Sequence, residues 1–129
     1  EALETLKNEG HTLAVCTNKT IELTLPLLER LDLTKHFKAI TGANSFPFKK
    51  PDARHLFETI KKAGGNERKA VMIGDSKTDI LTAKNANIPS IGVTWGYTEI
   101  SMPELNPDYL INHFDELTNV INTLSGELV

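Results

Sequence analysis

The sequence lacks several features that would place it in particular protein classes. It contains one cysteine, Cys16, so an intramolecular disulfide and a cysteine-based zinc site are both excluded, and a reducing cytoplasm fits. No run of about 18 apolar residues occurs, so we expect no transmembrane helix, and the first residues do not read as a signal peptide. No GxGxxG or Walker A segment occurs either, which argues against a nucleotide-binding domain.

Basic residues are also fewer than acidic ones. The 14 lysine and arginine residues are outnumbered by 17 aspartate and glutamate residues, which gives a net charge of −3. Non-specific nucleic-acid binders and anionic-membrane binders are normally basic, so we expect neither partner. The 129 residues, of which 40% are hydrophobic, are enough for one small domain with a real core, and residues 1–129 are interpreted as such.

Short apolar runs alternate with longer amphipathic segments along the chain. The runs do not alternate polar with apolar residues, which is typical of parallel strands covered on both faces. Strands separated by helices predict an α/β layered fold with right-handed crossovers. The predicted strands are Leu13–Cys16, Ala39–Thr41, Ala70–Ile73, Ser90–Val93 and Tyr109–Ile111.

The segments between these runs have helical patterns. Pro26 should break or kink the second of them. The last helix should bury a stripe formed by Phe114, Leu117, Ile121 and Leu124. The other predicted helices run from Ala2 to Asn8, from Thr20 to Leu31, from a cap at Asp52 to Gly64, and from a cap at Ser76 to about Asn87.

Ligands of parallel sheets bind beyond the carboxyl ends of the strands, so the residues that follow each strand carry the functional information. Asp75 lies at such a strand tip, where its carboxylate suits Mg²⁺. Asp79 could reach the same ion through its water shell. It could equally belong to a helix-capping arrangement with Ser76, and its sequence context favours neither.

Two further segments could bind phosphate. The hydroxyl of Thr17, beside Asn18 and the N–H groups of a helix starting near Thr20, could hold an oxyanion. Lys50, before another predicted helix, could neutralise phosphate charge. Taken singly, each segment is better explained as turn and capping residues or as solvated lysines.

The remaining reactive side chains form no ligand or nucleophile pattern. Cys16 lies within a predicted strand and is expected in the core. The histidines, which are His11, His36, His55 and His113, are expected on the surface.

The combination of these segments is far more specific than any one of them. A strand followed by Thr-Asn, then Lys-Pro before a helix, then a strand followed by Gly-Asp-Ser-x-x-Asp resembles motifs II, III and IV of the haloacid dehalogenase superfamily. The resemblance covers essentially the whole chain and is closest to the phosphoglycolate phosphatase-like branch. The matching stretches are Cys16–Lys19, Phe48–Asp52, Gly74–Asp79 and Trp95-Gly96-Tyr97.

This resemblance implies a fold and a chemistry. The fold is a three-layer α/β/α, Rossmann-like core with a mainly parallel sheet. The chemistry is Mg²⁺-dependent hydrolysis of a small phosphorylated metabolite through an aspartyl phosphate. The family's roles would place Thr17 and Asn18 on the phosphoryl oxygens, and Lys50 on the charge of the nucleophile and the transferring group. Asp75 would be the magnesium ligand, and Asp79 and Ser76 would support the site without binding the ion directly.

One family motif is missing. The superfamily's nucleophile and general acid/base lie in an Asp-x-Asp motif after the first, central strand, and no Asp-x-Asp occurs here. The helical cap domain that selects the substrate has no counterpart either. We therefore interpret the chain as an N-terminally truncated core, and expect no ladder between its first strand and the strand ending at Ile73. The alternative is a non-catalytic phosphate-binding or interaction module that retains motifs II to IV.

Overall fold

The computed structural model describes residues 2–95 and 101–128. Gly96, Tyr97 and Thr98, which the sequence groups with the functional loops, lie outside the described residues. No described helix combines the length and the apolar character needed to cross a membrane. The helices and strands, in chain order, are α1 (Ala2–Asn8), β1 (Ala14–Cys16), α2 (Ile21–Arg30), β2 (Ala39–Thr41), α3 (Ala53–Lys62), β3 (Met72–Gly74), α4 (Lys77–Ala86), β4 (Ser90–Val93), α5 (Met102–Leu105), β5 (Tyr109–Ile111) and α6 (Leu117–Leu128).

The strands form two parallel sheets. β1 pairs with β2, and β3 pairs with β4, which pairs with β5. All five predicted strands are confirmed within two residues at each end, because each is a short continuous apolar run. The ladder runs Met72 to Ser90, Ile73 to Ile91 and Gly74 to Gly92, so the carboxyl ends of β3 and β4 lie side by side.

Helices cover both faces of the strands. One apolar cluster joins α1 and α6 to β4 and β5, and the partly buried Leu13 packs against it from just before β1. A second cluster joins α3 and α4 to Met72 of β3, and Cys16 of β1 packs against it. Both clusters therefore draw on both sheets. The arrangement confirms the α/β/α layering predicted from the sequence.

Helices α3 and α4 begin and end where their capping residues predict. The Asp52 carboxylate accepts a hydrogen bond of 2.9 Å from the backbone N–H of Arg54 at the start of α3. Ser76 Oγ accepts one of 3.3 Å from the Asp79 N–H at the start of α4. Asn87 adopts a left-handed conformation, with φ of 59°, and ends α4 just before Ile88.

Pro26 does not break α2, contrary to the first of the two outcomes expected for it. The helix runs without interruption from Ile21 to Arg30. Proline removes the hydrogen bond to the carbonyl four residues earlier, which here is that of Glu22, in the first turn of the helix. The loss therefore falls near a helix end, where few residues precede the proline.

Phe114 does not belong to the buried stripe of the last helix, so this prediction is wrong. Leu117, Ile121 and Leu124 are buried as expected, but Phe114 is 46% exposed. It lies in a 3₁₀ turn that precedes α6, where the tighter winding takes it off the α-helical stripe. Its ring packs against Trp95 instead, with the centroids 5.2 Å apart.

The family resemblance implies a central strand between β1 and β3, and we call this position the slot. Among the described residues, no strand pairs with β1 or β3 there. β1 and β3 belong to different sheets and share no ladder, as the missing central strand predicts. Ile73, in the middle of β3, is 36% exposed although Met72 and Gly74 beside it are buried. An apolar side chain and an unpaired strand edge are thus both exposed at this place.

Candidate functional site

The predicted site residues gather at the carboxyl ends of the strands. Thr17 and Asn18 directly follow β1, and Asp75 directly follows β3. Lys50 lies in the loop between β2 and α3. Parallel strands present their carboxyl ends at one edge, which explains why loops distant in sequence meet there.

Asn18 and Lys50 are joined by two hydrogen bonds. The Asn18 Nδ2 donates to the Lys50 carbonyl oxygen at 2.9 Å, and the Lys50 backbone N–H donates to Asn18 Oδ1 at 3.0 Å. The side-chain amide of Asn18 therefore acts as a clip on the main chain of Lys50, and one Nδ2 hydrogen is left for another acceptor. The loops that carry motifs II and III are fixed to each other by this contact.

The side chain of Lys50 is buried and paired. Its Nζ forms an ion pair with the Asp79 carboxylate, and the two side chains are 7% and 10% exposed. The neighbouring Lys49 is exposed, so the structure distinguishes two lysines that are adjacent in sequence. The other oxygen of Asp79 accepts a hydrogen bond of 3.1 Å from the backbone N–H of Asp75. Asp79 thus links Lys50 to the tip of β3.

Gly74 allows Asp79 to approach the end of β3. A Cβ atom built on Gly74 would lie 2.2 Å from the Cβ of Asp79 and 2.6 Å from its Cγ. No side chain can be accommodated at such distances without moving the carboxylate. Glycine at position 74 is therefore required for the link between Asp79 and the main chain of Asp75.

Thr17 shares the edge but contacts Lys50 only through its neighbour Asn18. The Thr17 Oγ1 accepts a hydrogen bond of 3.1 Å from the Lys19 N–H, and the Thr17 N–H donates to the Thr41 carbonyl at 3.2 Å. The hydroxyl proton is left to donate to an incoming ligand, because accepting from Lys19 uses only a lone pair.

One of the N–H groups expected to be open at the N-terminus of α2 is already engaged. The Thr20 side chain makes no capping hydrogen bond. The first helical N–H, that of Ile21, donates instead to Asn44 Oδ1 at 3.0 Å. Gly42 makes room for this contact, since a Cβ there would lie 2.8 Å from the Ile21 nitrogen. Asn44 had no recognisable signal in the sequence, because it reaches α2 from the loop after β2.

The carboxylate of Asp75 is exposed at the tip of β3. Among the described residues, no hydrogen bond or ion pair engages its carboxylate oxygens. Mg²⁺ commonly takes one or two protein carboxylates and fills its other positions with water and phosphate oxygens. Asp75 fits that pattern as a single ligand. The described residues contain no group of three or more His, Cys, Asp or Glu side chains that could hold an ion, so the rest would come from elsewhere.

Ser76 serves the helix start rather than the open edge. Its Oγ accepts the Asp79 N–H, and the Asp79 carboxylate bonds to the N–H of Asp75. The two residues thus form only half of a capping box. The Asp79 carboxylate points towards Lys50 instead, so the capping possibility holds only for the Asp79 N–H, and a contact from Asp79 to a metal-bound water stays a prediction.

His55 was missed by the sequence analysis and is the clearest error in it. The side chain is fully buried, with 0% exposure, rather than at the surface. It lies on the inner face of α3 together with Leu56 and Thr59, which are both buried. Their spacing along the helix was the available signal, because His55 and Thr59 are four residues apart beside a buried leucine.

Burial changes the acid–base properties of two groups near the site. Burial, aided by the charge of Lys50 and opposed by that of Asp52, lowers the pKa of His55 below its usual 6.5. Burial raises the pKa of the Cys16 thiol above its usual 9.0. Cys16, which packs against the core, is therefore a poor nucleophile, in agreement with the core position expected for it.

Known proteins resemble this chain along most of its length. It is 57% identical over 118 residues to a phosphoglycolate phosphatase of Agrobacterium fabrum, covering 92% of this chain and 51% of that protein. It is 51% identical to a phosphoglycolate phosphatase of Mesorhizobium japonicum, covering 92% and 52%. The chain thus spans about half the length of the curated relatives it matches.

Solved structures and a family profile agree. A crystal structure described as a predicted phosphoglycolate phosphatase from Haemophilus somnus superposes with a TM-score of 0.87 at 30% identity, covering 92% of this chain and 53% of that one. The profile of the haloacid dehalogenase-like hydrolases matches residues 1–93, a stretch that includes the Asn18 clip, the Lys50–Asp79 pair and the tip of β3. The chain belongs to the haloacid dehalogenase-like hydrolase family.

Proposed function

We propose that this chain is part of a Mg²⁺-dependent phosphomonoester hydrolase of the phosphoglycolate phosphatase type, whose nucleophile lies outside the chain. The observation that carries the proposal is the buried Lys50–Asp79 ion pair, held at the same edge as Thr17 and Asp75. A lysine positioned by a buried carboxylate, at the same edge as an exposed carboxylate, suits a site for a phosphate and a metal ion. The names of the curated relatives make 2-phosphoglycolate the first substrate to test.

Each residue of this chain has a proposed task at the phosphate. The Thr17 hydroxyl and the free Nδ2 hydrogen of Asn18 donate to phosphoryl oxygens. Lys50 neutralises charge on the nucleophile and on the transferring group. Asp79 holds the ammonium of Lys50, and Ser76 holds Asp79 by capping its helix.

Asp75 would hold the magnesium ion through its exposed carboxylate. When bound, the ion supplies positive charge that polarises the phosphoryl group and offsets the charge developing on it. Because the N–H of Asp75 is tied to Asp79, the metal ligand and the lysine are placed relative to each other by one carboxylate.

The reaction proposed for the complete protein has two displacements. A carboxylate oxygen from outside this chain attacks phosphorus, the bond from phosphorus to the substrate oxygen breaks, and the leaving oxygen takes a proton from an acid that is also outside. Water then gives a proton to that same group and attacks phosphorus, and the bond from phosphorus to the carboxylate oxygen breaks, which releases inorganic phosphate and restores both the carboxylate and the acid. Throughout, Thr17 and Lys50 hold the phosphoryl oxygens.

The test uses the complete protein, by which we mean this chain joined to the segment that supplies the remaining half of the relatives' length. We expect it to release inorganic phosphate from 2-phosphoglycolate with Mg²⁺ and not after chelation of the metal. Asp75→Asn should abolish this activity. Asp32→Asn is the matched control, because Asp32 is exposed after α2 with φ of 58°, a conformation that asparagine tolerates. Near-normal turnover by the Asp75 variant would contradict the metal assignment.

The intermediate has its own test in the same protein. Quenching the reaction with radiolabelled substrate should leave protein-bound phosphate that neutral hydroxylamine releases, as expected for an acyl phosphate. Label that resists hydroxylamine would point to a different nucleophile.

The non-catalytic module remains the second candidate, because no Asp-x-Asp occurs in these 129 residues. Calorimetric titration with inorganic phosphate, compared with a turnover assay of the same protein, separates the two. A complete protein that binds phosphate through Thr17 and Lys50 but turns over no phosphomonoester would favour the module.

A further inference from the structure

The two ring nitrogens of the buried His55 each have one hydrogen-bond partner. The Nδ1 is 3.3 Å from the backbone nitrogen of Lys50, and the Nε2 is 3.1 Å from Thr41 Oγ1. A backbone N–H can only donate, so Nδ1 must present its lone pair. The neutral ring therefore carries its proton on Nε2 and donates it to Thr41.

The threonines behind the ring complete this pattern. Thr41 Oγ1 is 2.7 Å from Thr59 Oγ1, and the Thr59 hydroxyl is 2.7 Å from the carbonyl oxygen of His55. One assignment satisfies the short contacts together: His55 donates to Thr41, Thr41 donates to Thr59, and Thr59 donates to the His55 carbonyl. A second ring proton, on Nδ1, would face the Lys50 N–H and have no acceptor there.

The main chain of Lys50 is thus gripped from two directions. Its N–H is shared between Asn18 Oδ1 and His55 Nδ1, and its carbonyl accepts from Asn18. Beyond this point the Lys50 side chain extends to Asp79. A shift of the Lys50 backbone would move the ammonium with it, and misplacement of a catalytic group by about 1 Å can cost on the order of a hundredfold in rate.

Phe46 covers the ring from the loop side. Its ring stands edge-on to His55, with centroids 5.8 Å apart, and stacks on Phe48 at 5.5 Å. Arg54 lies over Phe48, with its Cζ 4.5 Å from the ring centroid. These contacts exclude water from the ring, and burial together with the charge of Lys50 lowers the pKa of His55, which favours the neutral form.

We propose that His55 is a positioning residue for the phosphoryl chemistry: as a neutral Nε2–H imidazole it holds the main chain of Lys50 through Nδ1, and anchors that grip to β2 through Thr41. The inference rests on the role proposed for Lys50 in phosphate chemistry. It adds a residue that touches neither substrate nor metal and acts only through Lys50.

Two substitutions in the complete protein separate the two hydrogen bonds of His55. In His55→Asn the amide oxygen is attached to Cγ, as Nδ1 is, so it can still accept from the Lys50 N–H. In His55→Gln the amide lies one bond further out, as Nε2 does, so it can still donate to Thr41 but leaves the Lys50 N–H without His55. Both variants lose one imidazole bond, and each serves as the other's control.

The expected result is a difference in kcat with little change in KM. His55→Asn should keep kcat within about tenfold of the wild type, whereas His55→Gln should fall by about a hundredfold, the scale of a misplaced catalytic group. Thermal unfolding of both variants gives the folded fraction, and kcat is compared per folded molecule. Equal kcat values for the two variants, or the reverse order, would overturn the proposal.

A second measurement does not depend on turnover. Nitrogen NMR of the His55 ring at neutral pH should show a protonated Nε2 and an unprotonated Nδ1. A ring protonated on Nδ1, in a protein that hydrolyses phosphomonoesters, would refute the role of His55 and leave the proposed function standing. Because the tautomer is read without substrate, it tests the contact to Lys50 even if the protein proves to have no phosphatase activity.

Discussion

The ammonium of Lys50 and the carboxylate of Asp79 form an ion pair that is almost sealed from solvent, across 29 positions of sequence. Such a pair is strongly stabilising only in the sense that neither partner can be removed alone, since the remaining charge would be buried without compensation. Asp75, four residues before Asp79, is exposed, and among the described residues it forms no ion pair. The two acids of one motif therefore differ in what they contribute.

This difference predicts that two matched substitutions in the complete protein affect different properties, one the activity and the other the stability. Asp75→Asn should abolish Mg²⁺-dependent activity and leave the free energy of unfolding nearly unchanged, because its side chain is exposed. Asp79→Asn should lower the free energy of unfolding by about 3 kcal/mol, because it leaves Lys50 buried without its counter-ion. Urea unfolding and phosphate release measure the two quantities. Equal stability losses would show that the burial difference has no energetic meaning.

A methyl group at position 74 should disrupt the site as well as the fold. In Gly74→Ala the new Cβ would overlap the Asp79 side chain, so we expect the Lys50–Asp79 pair to separate and activity to be lost. Gly10→Ala is the control, because Gly10 has φ of +93° but nothing within 4 Å of a Cβ. It should cost about 1 kcal/mol through backbone strain and leave turnover intact. Full activity of the Gly74 variant would contradict the packing argument.

The buried His55 predicts a pH dependence of stability. Its pKa is lowered in the folded state, so below its usual value of 6.5 the unfolded chain binds a proton that the folded chain does not. The stabilising contribution is therefore complete above that pH and decreases as the pH falls through 6.5 towards the lower folded value. One proton corresponds to about 1.4 kcal/mol per pH unit.

The measurement compares urea unfolding of the complete protein and of its His55→Asn variant between neutral and mildly acidic pH. As the pH falls, the free energy of unfolding of the wild type should decrease more steeply than that of the variant. The difference between the two slopes should be at most about 1.4 kcal/mol per pH unit, the value for one proton. Other titrating groups cancel in the difference. Parallel pH profiles for the two proteins would mean that His55 keeps an ordinary pKa when folded.

The unpaired slot between β1 and β3 predicts that the isolated 129-residue chain is aggregation-prone and inactive. Unpaired strand edges and the exposed Ile73 favour pairing with other chains. Adding the segment that the proposed function places outside this chain, covalently or as a separate fragment, should produce a cooperative unfolding transition and phosphatase activity. Size-exclusion chromatography and thermal unfolding follow the change. A monomeric isolated chain with full turnover would contradict both the gap and the proposed nucleophile.

The sequence alone was sufficient for the features that depend on neighbouring residues. The five strands are short apolar runs, and α3 and α4 are delimited by Asp52, Ser76 and Asn87, whose side chains or conformations act within a few residues. The order of the motifs was also readable, because motifs are local patterns joined by a recognisable spacing. These features need no knowledge of what packs against them.

Tertiary structure decided which side chains are buried and which residues they contact. The Lys-Pro motif already singled out Lys50, but only the structure shows that Lys50 is bonded to Asn18 and buried against Asp79, whereas Lys49 is exposed. From the sequence, His55 was expected at the surface, because a polar residue is expected to be exposed unless buried hydrogen-bond partners for it are known. Its partners are Thr41, from another element, and the main chain of Lys50. The contact of His55 with Thr41 spans 14 positions and that of Lys50 with Asn18 spans 32, and only the folded chain brings such groups within hydrogen-bonding distance.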